Sequence, residues 1–71
     1  MDTSDYVAPA EDDFVLRYQR AHLGAGLVCA VDAYKGGLPR AHVLFEDGSV
    51  LVECLFLFQS PGFAILDDTW E

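Results

Sequence analysis

From Phe14 onward the chain alternates short apolar runs with Gly, Pro and Asp, the texture of closely spaced β-strands. Leu27–Tyr34 reads as a strand with Leu27, Cys29, Val31 and Ala33 pointing inward. Lys35-Gly36-Gly37-Leu38-Pro39 is a loop, punctuated by its glycine pair and proline. Ala41–Phe45 forms the next strand, and Ser60-Pro61-Gly62 turns the chain into a last strand over Phe63–Leu66. Phe14–Arg20 fits two periods. As a strand it puts Phe14, Leu16 and Tyr18 on one face; as a helix capped by Asp12 or Asp13 and ended at Gly24, it lines up Phe14, Tyr18 and Ala21. The β character of everything after it favours the strand.

The sharpest local signal is Phe45-Glu46-Asp47-Gly48-Ser49-Val50, where Asp-Gly lies between two apolar runs. A two-residue type I′ turn at Asp47-Gly48 predicts Phe45 opposite Val50, Val43 opposite Val52 and Ala41 opposite Cys54. The other face then pairs Leu44 with Leu51, His42 with Glu53 and Arg40 with Leu55, and Leu57 continues it. Neither face of such a hairpin is polar, whereas a half-exposed antiparallel pair alternates cleanly. Leu44, Leu51, Leu55 and Leu57 are therefore expected to form an apolar strand face that meets a protein partner or a second copy.

Gly26, Val28 and Val31, followed by Val43, Phe45, Asp47-Gly48, Val50 and Val52, resemble the pattern of SH3-like small barrels of the Tudor and KOW kind. The resemblance spans roughly residues 13–66 and implies an all-β, five-stranded SH3-like barrel. An acidic tail over residues 1–12 precedes this single domain of residues 13–71. Members that read methylated residues use an aromatic cage, and none can be placed among Tyr18, Tyr34 and Trp70. Members that bind RNA carry a basic surface, which this chain lacks.

Charge sharpens that exclusion. The net charge is −8, and its distribution is uneven. Asp2, Asp5, Glu11, Asp12 and Asp13 stand without a base at one end, as do Asp67, Asp68 and Glu71 at the other. Between them Arg17, Arg20, Lys35 and Arg40 balance Asp32, Glu46, Asp47 and Glu53. Direct nucleic-acid binding draws on cations that displace phosphate counterions, so the surplus has the wrong sign. An acidic surface of Asp12, Asp13, Asp67, Asp68 and Glu71 suits a basic protein partner, mimicry of a nucleic acid, or plain solubility.

Candidate chemistry is thin. Cys29 and Cys54 lack CxxC spacing and read as reduced core thiols, the alternative being a bridge between them. His22 and His42 have no closely spaced ligand partners for zinc, and the acidic pairs lack calcium-loop spacing. Ser49 and Ser60 sit in turns. His42 opposite Glu53 is expected as a cross-strand hydrogen-bonded pair. No catalytic group, cofactor site or metal site is expected. The acidic N-terminus lacks the positive charge of a signal peptide, and Cys54–Phe58 is too short to cross a bilayer, so a cytoplasmic location is expected.

Two functions fit these features. The first is a non-catalytic, self-associating or subunit-type interaction module. The second is an acidic inhibitor of phage or mobile-element origin, similar in size and charge to anti-CRISPR DNA mimics, that blocks a basic nucleic-acid-binding groove.

Overall fold

The computed structural model describes residues 8–66 of the chain. Five antiparallel strands make one sheet: β1 (Phe14–Arg17), β2 (Gly26–Ala33), β3 (Pro39–Leu44), β4 (Val50–Cys54) and β5 (Phe58–Gln59). Their order is β4-β3-β2-β1-β5, with 3₁₀ turns at Ala21–Leu23 and Leu55–Leu57 and one helix, α1 (Pro61–Leu66). The mainly β expectation holds, and the ambiguous first segment is a strand. Upstream residues join it to β2: the Asp12 N–H donates to the Val28 carbonyl at 2.8 Å, and the Val28 N–H donates to the Asp13 carbonyl at 2.9 Å.

The Asp-Gly hairpin forms, one residue out of the expected register. Val43 faces Leu51, His42 faces Val52, Ala41 faces Glu53 and Arg40 faces Cys54. A type I′ turn needs positive φ at both central residues, but here only Gly48 has it, at 88°. The Asp47 carboxylate instead accepts hydrogen bonds from the Ser49 N–H at 2.9 Å and the Ser49 hydroxyl at 2.6 Å. These bonds hold Asp47 out of the left-handed region. The loop becomes Glu46-Asp47-Gly48, closed by Gly48 N–H to the Phe45 carbonyl at 3.0 Å and Phe45 N–H to the Ser49 carbonyl at 2.9 Å. Because side chains alternate with period two, the slip turns every β4 residue to the opposite face.

A second phase change occurs in β2. The register shifts between Val28 and Ala30, leaving Cys29 as the extra residue of a β-bulge. Val28 is fully buried and Cys29 exposed, which reverses the expected inward phase before the bulge; Val31, beyond it, packs on the core as expected. Both cysteines are free, and neither is a core thiol: Cys29 is exposed and Cys54 half-buried.

Val15, Val28, Ala41, Val43, Phe45, Leu55 and Phe58 form the core. Gly26 lies under it, where an added Cβ would run into Val43 and Phe45, so only glycine fits. The last strand expected at Phe63–Leu66 is the helix α1. An apolar run of four has no period to separate helix from strand. Pro61 at the first helical position has its φ already set for a helix, and the Ala64 N–H donates to the Ser60 carbonyl at 3.0 Å.

Candidate interaction surface

Residues opposite one another on neighbouring antiparallel strands share a face. The registers therefore define one apolar row across four strands: Phe14, Leu27, Leu44, Val50. Beside it run a row of Ala30, His42 and Val52 and a third of Asp32, Arg40 and Cys54. All three lie on the face turned away from the core. Phe14 is 59% exposed, Leu44 40%, Val50 55% and Val52 44%.

Of the four leucines expected there, only Leu44 is on this face. Leu51 lies opposite the buried Val43, Leu55 is a core residue, and Leu57 packs on the core from the 3₁₀ turn. The one-residue hairpin slip accounts for Leu51, and the turn at Leu55–Leu57 ends the alternation that placed the other two. Phe14, Val50 and Val52 take their places. Knowing that the loop has three residues would have identified Val50 and Val52 from the sequence.

The polar end of the face is a compact charge cluster. Arg40 donates twice to Asp32, from Nε at 2.7 Å and Nη2 at 2.6 Å, and its guanidinium stacks 5.2 Å from the Tyr34 ring centroid. His42 Nε2 lies 3.1 Å from Asp32 Oδ2. The Arg40 hydrogen bonds hold the Asp32 carboxyl well below the usual carboxylate range, outweighing the opposing desolvation, with His42 adding to the effect. His42 thus partners Asp32 and not Glu53, again because of the register.

Glu53, turned inward, meets Arg17. The pair is bidentate, Nε to Oε1 at 3.0 Å and Nη2 to Oε2 at 2.7 Å, and the Arg17 side chain is only 12% exposed. Arg17 Nη1 also donates to the Tyr18 carbonyl. β1 and β4 stand three places apart in the sheet, about 14 Å if it were flat. The ion pair spans the concave side of a strongly curled sheet. Hydrogen bonds from Arg17 lower the Glu53 carboxyl, again outweighing desolvation.

The acidic residues are divided. Asp12 and Asp13 are exposed, and Asp13 Oδ2 accepts the Ala10 N–H at 2.9 Å. Asp67, Asp68 and Glu71 lie outside the described residues, as do residues 1–7 of the acidic tail. A cleft of about 290 Å³ lined by Ala8, Pro9, Asp13, Phe14, Ser60 and Phe63 carries a single carboxylate, the one already bonded to Ala10.

Among the described residues no helix is long and apolar enough to cross a membrane. No family model matches the chain, and neither a curated protein nor a solved structure matches it.

Proposed function

We propose that this chain is a cytoplasmic, non-catalytic interaction module that self-associates or joins a larger assembly through the outer face of its sheet. The observation that carries the reading is the row Phe14, Leu27, Leu44 and Val50, extended by Val52, in which Leu27 is half-buried and the others are exposed. Contiguous apolar surface on a small protein marks a contact site, and the solvent side of an antiparallel sheet is ordinarily polar. The charge distribution supports the same reading. The surplus negative charge lies at the two ends, whereas the chain between them is balanced. Acidic inhibition requires both carboxylate clusters on one surface.

Sedimentation velocity at micromolar concentration tests the proposal. Wild type sediments as more than a monomer or co-sediments with its assembly, and Leu44→Asp sediments as a folded monomer. Added salt leaves the apolar contact intact or tightens it by screening the negative ends. A wild-type monomer whose contacts with a basic partner weaken steeply in salt would support the acidic inhibitor instead.

A further inference from the structure

The two ends of the sheet differ in how they treat their open edges. β5 has two residues and runs through Ser60 into α1. β4 has five, Val50-Leu51-Val52-Glu53-Cys54, with no lysine, arginine or proline among them. Its one charge, Glu53, is held on the inner side by Arg17. Natural edge strands are usually guarded by charge, proline, a bulge or a covering element. Among the described residues β4 has no proline and no bulge, its one charge is neutralised by Arg17, and β3 is its only strand neighbour.

The hydrogen-bond phase identifies the open groups. Phe45 N–H bonds to the Ser49 carbonyl, so the Phe45–Ser49 pair points its backbone groups toward one another. Alternation along the ladder makes Val43–Leu51 and Ala41–Glu53 bonded pairs too. The N–H and C=O of Val50, Val52 and Cys54 therefore point away from β3. Only another extended segment supplies donors and acceptors at matching spacing.

We infer that β4 pairs antiparallel with β4 of a second copy, centred on Val52, so that Val52 faces its own counterpart and Val50 faces Cys54 of the partner. This deepens the proposed self-association and rests on it. Full overlap of a five-residue strand with itself places the two-fold axis at its middle residue, and this register uses every open group, roughly six hydrogen bonds. Other in-phase registers leave some of them open. The balanced charge of the central chain removes like-charge repulsion at the seam. Val50 and Val52 belong to both the edge and the outer face, so pairing sets the Val52 rows of the two copies end to end and runs each Val50 row into the partner's Cys54 row.

Two measurements on the full chain test the inference. In a Cys29→Ser background, Val50→Cys should form a disulfide-linked dimer on mild oxidation, using the native Cys54 of the partner. Opposed residues on paired strands lie about 5.5 Å apart, within disulfide reach. Positions 50 and 54 of one extended strand are about 13 Å apart and cannot bridge. Adding Cys54→Ser should abolish the crosslink. Val52→Pro removes an N–H that points away from β3, so the fold persists by circular dichroism while self-association weakens about tenfold or more. A crosslink that survives Cys54→Ser overturns the inference, and so does a chain that never crosslinks. If such a chain still self-associates and Leu44→Asp disperses it, the outer-face reading stands without edge pairing. If the crosslink forms and Leu44→Asp changes nothing, edge pairing stands and the outer-face reading falls.

Discussion

The inner and outer faces of this sheet are built from the same strands and nearly the same residue types, yet they meet opposite demands. Inside, Val28, Ala41 and Val43 are fully buried, and the Arg17–Glu53 ion pair there is bidentate and mostly shielded. Outside, Phe14, Leu44, Val50 and Val52 remain open beside the Asp32–Arg40–His42 cluster. Apolar character therefore does not mark the core of this protein; position in the ladder does. Substitutions on the inner face should cost folding stability, and those on the outer face should cost association.

The largest effect belongs to Phe58, a fully buried core residue on β5. Phe58→Ala should cost about 3–5 kcal/mol in urea unfolding, much of what a small domain has. Next comes the Arg17–Glu53 pair. Glu53→Gln removes a charge-assisted bidentate contact and should cost about 1.5–3 kcal/mol at neutral pH. The folded Glu53 carboxyl is held below its ordinary range, so the pair's contribution is complete above that range and fades as pH falls through the lowered value. The difference between wild type and Glu53→Gln should shrink accordingly in acid; a gap that stays constant to low pH would break the assignment. A smaller loss is expected from Gly48→Ala, about 1–2 kcal/mol, since φ of 88° suits glycine alone. Smallest on stability is Leu44→Asp, within about 0.5 kcal/mol for the monomer by the same urea assay. An outer-face substitution that unfolded the monomer would erase the distinction between the faces.

Much of the fold was legible in the sequence. Apolar runs cut by Gly, Pro and Asp located β1 to β4 because turn chemistry is local. Facing was harder to read, because two features reset the alternation without a composition signal. The bulge at Cys29 looks like any other residue of an apolar run. The hairpin contains the expected Asp-Gly, but the Asp47 carboxylate chose the turn type by bonding to Ser49. From that choice followed the misplacement of Leu51 and the false pairing of His42 with Glu53. Leu44 was placed correctly because β3 kept its phase. Arg17 and Glu53 stand far apart in the chain, and their meeting depends on sheet curvature, which no spacing rule encodes.

The tip of the β3–β4 hairpin has a consequence beyond its own few residues. Its turn type works as a gear between two ways of displaying the same strand. A two-residue Asp47-Gly48 turn, with Glu46 opposite Ser49, would shift the pairing by one residue and rotate the strand by half a period. Val50 and Val52 would then turn to the interior, Leu51 would turn to solvent, and Glu53 would swing away from its guanidinium. Substitutions at this exposed tip that change the turn type therefore rewrite which side chains a neighbour can touch, while every residue of the strand itself is unchanged.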